Sequence, residues 1–252
     1  MKRTGMFLAV AALAATAHAA AVEPKADALL RSMSDLLAKT QTLRFTTEEH
    51  HERLRRNGER VNLDFSREAT VRRPNGLRFD IKSGERSGLL VYDGKKISFE
   101  GNAKKVWAQT AVPPTIDQAM DYIGTRLGIP MPMADILYSS PYDALVGDGT
   151  TGKYVGVEKI AGNSCHHLSF QDKVVDYDVW VRDGEQALPC QIELHYKLDA
   201  GEPVSRITFK DFDLSPSVSD SAFAFTAPAD YRRIRVVGRR DAGTGTPEEG
   251  AK

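Results

Sequence analysis

Val61-Asn62-Leu63-Asp64-Phe65-Ser66 and, one turn later, Leu77-Arg78-Phe79-Asp80-Ile81-Lys82 decide how this chain folds. In both stretches apolar and polar residues alternate one by one. Side chains on a strand point to opposite faces in turn, so each run makes a ribbon with one dry and one wet side. The alternation recurs from Leu43 to Phe212 with a single helical interruption. It predicts about eleven strands, at 43–55, 59–73, 77–82, 88–92, 96–100 and 106–110, then at 153–159, 165–171, 176–181, 189–197 and 204–212. Asn57-Gly58, Pro74-Asn75-Gly76 and Asp93-Gly94 supply the turn chemistry that antiparallel neighbours need. A short segment at 219–225 closes the domain.

The dry face of so large a sheet must be covered, and two helical segments are available. Leu29, Leu30, Met33, Leu36 and Leu37 form an apolar stripe along a helix over 24–39. Thr115, with Gln118 three residues on, opens a second helix whose apolar face is Ile116, Ala119, Met120, Ile123 and Leu127, stopped by Gly128. Ile129-Pro130-Met131-Pro132-Met133 then leads to a shorter helix over 134–138, with the two prolines stiffening the connection between hinges. A meander of this length curls because strands twist. A closed barrel would leave the helical stripes nothing to cover, so an open sheet plugged by helices is expected.

Residues 1–19 read as a secretory signal: Lys2 and Arg3, an apolar run from Met6 to Ala15, and the small-x-small site Ala17-His18-Ala19. The apolar run is too short to span a membrane, so stable membrane insertion is not expected. The expected product is an exported, periplasmic protein with one domain over 20–238 and a disordered tail over 239–252, whose Gly, Thr, Glu and Lys have no apolar period. Without Lys2 and Arg3 the charge is nearly balanced, which excludes the concentrated basic face of a nucleic-acid binder. Arg53, Arg55, Arg56 and Arg60 are interspersed with glutamates and read as a solvated hairpin end. Cys165 and Cys190 suit a disulfide in an oxidising compartment, but a whole strand between them could hold them too far apart. Both outcomes stay open.

The order of elements resembles the LolA-like superfamily of periplasmic lipoprotein carriers. More closely, the chain is similar to a domain-of-unknown-function family of predicted periplasmic proteins placed in that superfamily. The residues that carry the resemblance are Arg73-Pro74 with Leu77-Arg78, Val91-Tyr92-Asp93-Gly94-Lys95, Thr115-Ile116-Asp117, Pro132 with Asp135-Ile136-Leu137, Cys165-His166-His167-Leu168-Ser169-Phe170, Asp176-Tyr177-Asp178-Val179-Trp180-Val181 and Leu188-Pro189-Cys190. These are turn and core positions, so they identify architecture before chemistry. The resemblance implies an α+β fold that is mainly β: an open antiparallel half-barrel with a helical lid over a hydrophobic cavity.

No constellation of reactive side chains competes with that reading. Tyr92-Asp93-Gly94-Lys95 is a hairpin turn first and an acid only second. The pairs His50-His51 and His166-His167 each face opposite sides of a strand, as do Glu48 and Glu49, so none can act as a chelating or acid–base unit. His167, His195 and Asp178 could approach one another, yet zinc-ligand spacing is missing and no metal or cofactor is expected. Ser139-Ser140-Pro141 is explained as a helix stop, and Gly147-Asp148-Gly149 lacks the lysine and helix of a phosphate loop.

The expected function is therefore non-enzymatic: a monomeric binding or carrier protein for a hydrophobic small molecule, an acyl chain, a lipid or a lipoprotein lipid moiety. The expected walls are Phe45, Phe65, Phe79, Ile81, Tyr92, Phe99 and Trp107 on the sheet, with Met120, Ile123, Leu127 and Leu137 from the lid. Met120, Met131 and Met133 would give the lid an adaptable surface. The alternative is an envelope interaction or sensor module with a packed interior that binds another protein, and a hydrolase with an unrecognised site comes third.

Overall fold

The structure, a computed structural model, describes residues 22–236 and 238. The expected signal segment over 1–19 and the tail from Arg239 lie outside these residues. Helix α1 (Pro24–Lys39) has Pro24 in its first turn, where a missing N–H costs nothing, and turns Ala26, Leu30, Met33 and Leu37 into the core. Six strands follow: β1 (Thr42–Leu54), β2 (Arg60–Arg72), β3 (Gly76–Ser83), β4 (Arg86–Tyr92), β5 (Lys96–Gly101) and β6 (Val106–Ala111). The covering segment comes next, with α2 (Ile116–Tyr122), a wider π turn at Ile123–Leu127, a 3-10 turn at Ala134–Leu137 and α3 (Pro141–Leu145). Strands β7 (Thr151–Ile160), β8 (Asn163–Gln171), β9 (Val175–Arg182), β10 (Pro189–Tyr196), β11 (Val204–Asp213) and β12 (Arg232–Arg233) follow.

All twelve strands form one open sheet in the order β12-β6-β5-β4-β3-β2-β1-β11-β10-β9-β8-β7. Every pairing is antiparallel except the two-residue β12 against β6. The order explains the lid. β6 sits beside one edge and β7 is the other, so the chain from Val112 to Thr150 must travel from edge to edge. It does so across the concave face, where its apolar stripe meets the dry side of the sheet. Helix α1 covers the remainder, starting at the β7 edge, where Val22 bridges Gly152. A Cβ at Gly152 would lie 2.5 Å from the Phe170 ring, so only glycine allows that approach.

The interior is closed by packing. One continuous cluster joins Leu30, Met33 and Leu37 of α1 with Phe45, Leu77, Phe79 and Tyr92 of the sheet and Ile116, Met120, Ile123, Ile136 and Leu137 of the covering segment. Polar ties pin the cover. Thr115 caps α2 by accepting from the Gln118 N–H at 3.3 Å. The Arg73 guanidinium donates to the Leu137 carbonyl at 2.6 Å, and the Tyr92 hydroxyl to that of Pro113 at 2.8 Å. The Tyr142 N–H donates to Ser34 Oγ at 2.9 Å, joining α3 to α1.

Two details of the covering segment differ from the sequence reading. The helix expected over 134–138 is a single 3-10 turn, and Ser139-Ser140-Pro141 opens α3 rather than ending a helix. The closing segment expected at 219–225 contains a 3-10 turn over Asp220–Phe223. Cys165 and Cys190, whose pairing the sequence left open, are bonded, with Cα atoms 6.6 Å apart. Cys165 lies opposite Arg182, the last residue of β9, and Cys190 sits where the β9–β10 register slips between Pro189 and Gln191. The bridge thus crosses the end of the intervening strand, on the convex face, where Trp180 packs against it.

Candidate binding cleft

Strand length creates an opening that alternation alone does not describe. β1 and β2 pair through Leu54 and Arg60, but β3 accompanies β2 only as far as Ser66, and β11 accompanies β1 only as far as His51. The outer end of the β1–β2 hairpin is therefore a two-stranded ribbon that overruns both neighbours. By register its concave side carries His51, Arg53, Val61, Leu63 and Phe65, and Leu63 is 45% exposed. Such a ribbon is marginal alone. Arg60 steadies it by donating to the Gly201 carbonyl at 2.6 Å, and Glu52 accepts from the Val204 N–H at 3.2 Å.

A cleft of about 800 Å³ lies under this ribbon. Its walls are the ribbon, the turn between β10 and β11 with Asp199 and Pro203, and Pro130 and Pro132 of the covering segment. A second cleft of about 410 Å³ lies on the other side of Pro130-Met131-Pro132, against Leu145, Val175, Tyr177 and Leu194. The two share Pro130, Pro132 and Tyr196, so the proline segment is a strap between them. Small-molecule sites commonly occupy about 300–1,000 Å³, a range that both clefts meet.

His51, Phe65 and Arg67 floor the larger cleft, and a buried ionic cluster centred on Glu49 lies behind them. Glu49 is fully covered and accepts from Thr47 Oγ1 at 2.7 Å and from Arg67 Nη2 at 3.1 Å, while His51 Nε2 lies 3.0 Å from it. His51 Nδ1 meets Ser205 Oγ at 2.8 Å, and its ring stacks on Phe65 with centroids 5.0 Å apart. Arg67 lies 4.7 Å over the Phe79 ring and donates to the sulfur of Met133 at 2.7 Å, which ties the floor to the strap. Burial pushes the Arg67 guanidinium down from its ordinary pKa, and Glu49 pulls it back. In the smaller cleft, burial pushes the Asp135 carboxyl up to about 6.

Of the expected wall residues, only Phe65 lines the larger cleft. Phe45, Phe79, Tyr92, Met120, Ile123 and Leu137 are on the concave face or the lid as expected, but they are packed against each other. Ile81 and Leu127 pack at the margin of that cluster. Phe99 is on the concave side and 41% exposed, away from the cleft. Trp107 is a correction. It pairs with Glu100, whereas its neighbour Ala108 pairs with the concave Phe99, so Trp107 faces outward, with Phe225 at 6.0 Å and Arg233 at 5.1 Å. Leu63 was missed because its exposure follows from where the neighbouring strand stops, and His51, Arg67, Pro130 and Tyr196 because the cleft joins them only in three dimensions. The excess length of the hairpin strands was the available signal.

On the convex face His167 bridges Glu158 and Asp178 at 2.8 and 2.9 Å and stacks on Trp180. No group of three potential metal ligands occurs among the described residues. None of the described helices is long and apolar enough to cross a membrane.

No curated protein matches this sequence. Solved structures similar to it include an uncharacterized conserved protein from Thermus thermophilus, 8% identical with a TM-score of 0.48, where the alignment covers 84% of this chain and 99% of that one. The LolA superfamily protein NE2245 from Nitrosomonas europaea is 12% identical with a TM-score of 0.40, covering 79% and 97%. The lipoprotein LppX from Mycobacterium tuberculosis is 12% identical with a TM-score of 0.47, covering 78% and 100%. The profile of a family described as "Predicted periplasmic protein (DUF2092)" matches residues 26–237, nearly the whole sheet and its helices. The chain belongs to that family of predicted periplasmic proteins.

Proposed function

We propose that this protein binds a hydrophobic or amphiphilic molecule, such as an acyl chain or lipid, and holds it without chemical change. The site is the cleft beneath the β1–β2 ribbon, with the smaller cleft beyond the strap as its extension. One observation carries the reading: an 800 Å³ opening is walled by Leu63, Phe65, Pro130, Pro132 and Tyr196, apolar surface that the described chain leaves uncovered. A chain burying about ten methylenes there gains about 8 kcal/mol, equivalent to a Kd of about 1 μM before the cost of immobilisation is subtracted.

Titration with 11-(dansylamino)undecanoic acid tests this. Saturable fluorescence enhancement at one equivalent is expected, with loss in Leu63→Asp and retention in Phe99→Ser, whose side chain is exposed elsewhere. A folded Leu63→Asp protein that binds normally would remove the site from the cleft. No uptake by the parent protein would end the ligand-binding reading. The packed core favours a second reading, in which the ribbon's apolar face docks another envelope protein; absence of any lipid uptake would leave that one standing.

A further inference from the structure

The two ends of the larger cleft differ in kind. Its inner end has Phe65, Pro130, Pro132 and Tyr196, with His51 and Arg67 already engaged by Glu49, while its outer end, at the ribbon tip, carries Arg53, Arg55 and Arg56. These arginines are not equivalent. Arg55 pairs with Glu59 at 2.8 Å, and the nearby Arg60 pairs with Glu52. The side chains of Arg53 and Arg56 are exposed and make no ion pair or hydrogen bond among the described residues. Within the lining, Glu52 is satisfied by Arg60 and the Val204 N–H, and the remaining carboxylate is Asp199, on the opposite wall. The mouth thus presents two unpaired cations against one unpaired anion.

Register sets the spacing. Arg53 stands four residues along β1 from Glu49, which pairs with Phe65. At a strand's rise that is about 13 Å between the charged tip and the level of Phe65. Arg53 and Leu63 share the concave side of the ribbon, so a molecule lying along it meets charge first and hydrocarbon surface next.

We propose that the ligand is an anionic amphiphile, its phosphate or carboxylate held by Arg53 and Arg56 at the ribbon tip and its hydrocarbon directed inward over Leu63 and Phe65. This rests on the binding reading above and names its ligand class. A guanidinium matches such an oxyanion with paired N–H donors, and a partly covered cleft screens the attraction less than open water does.

Three single-chain amphiphiles of equal tail length, each below its critical micelle concentration, separate the two claims: monododecyl phosphate, dodecyl maltoside and dodecyltrimethylammonium. The phosphate should bind about tenfold tighter than the maltoside, a preference of about 1.4 kcal/mol. The trimethylammonium should bind weakest. In Arg53→Gln/Arg56→Gln the phosphate should fall to the affinity of the maltoside, whose own binding stays unchanged, and added salt should erode the preference only in the parent protein. Laurate in place of the phosphate tells a carboxylate from a phosphate headgroup. Equal affinity for all three compounds, or a phosphate preference that survives the double substitution, would overturn the headgroup assignment while leaving the cleft intact. Binding of none would overturn both.

Discussion

Glu49 is the residue on which the cleft floor turns. Its carboxylate faces the concave side of the sheet, beside the apolar core, and it is held by Thr47, His51 and Arg67. Removing one member of a buried ion pair strands the other charge, whereas replacing both with apolar groups of similar size can be nearly neutral. Glu49→Gln should cost about 3 kcal/mol in urea unfolding, and Glu49→Leu/Arg67→Met should cost less than the single change. A loss below about 0.5 kcal/mol in Glu49→Gln would show that the cluster does not hold the floor. Asp135 gives a second test. Its carboxyl, normally at 3.8, is raised to about 6 by burial beside Tyr177, Tyr196 and Asp172, which line the same cleft. Between these values the folded chain holds a proton that the unfolded chain has released, so stability falls as pH rises from about 4 to 6. Asp135→Asn should flatten that slope and stabilise the protein at pH 7 by about 1 kcal/mol. An unchanged pH profile in thermal unfolding would contradict this account of Asp135.

Among the elements, the overrunning ribbon has the least support. Its tip rests on the ladder to its own partner and on the ties of Arg60 and Glu52 to the β10–β11 turn. Hydrogen exchange should therefore be faster in residues 53–63 than in 43–49 and 67–72, which are flanked on both sides. Arg60→Ala should speed exchange at the tip further while changing global stability by less than about 1 kcal/mol. Uniform protection along both strands would mean that the overhang is not a separate unit. The elements themselves were legible in the sequence because period-two alternation and the i, i+3, i+4 stripe are local signals. All eleven expected strands exist, and α1 spans its expected range. The face of Trp107 was not legible: Val106, Trp107 and Ala108 are three apolar residues in a row, so only the pairing of Trp107 with Glu100 assigns its side. The cleft was hidden for a related reason. Leu63 reads as a core residue by alternation and becomes exposed only because β3 stops at Ser83 and never reaches it.

At the scale of the whole molecule, strand order does what no single element can. Bringing β11 beside β1 leaves β6 and β7 near opposite edges, so the chain between them must cross the concave face and close it. The sequence showed that this face is apolar; whether helices fill it or leave a hollow depends on side-chain fit across the sheet and was decided only in three dimensions. They fill it, with Met120 and Ile123 buried. An aspartate at either position would bury a charge and report on folding, not on ligand contact. Ligand capacity has moved instead to the rim, where the ribbon, the proline strap and the β10–β11 turn enclose unclaimed apolar surface. Amide NMR spectra of the protein with a fatty acid carrying a nitroxide on its hydrocarbon tail test that placement directly. Broadening should centre on the amides of residues 61–65, Met131, Val204 and Ser205 and spare Phe45, Tyr92 and Ile123. Broadening centred on those three, or spread evenly over the sheet, would contradict a binding site at the rim.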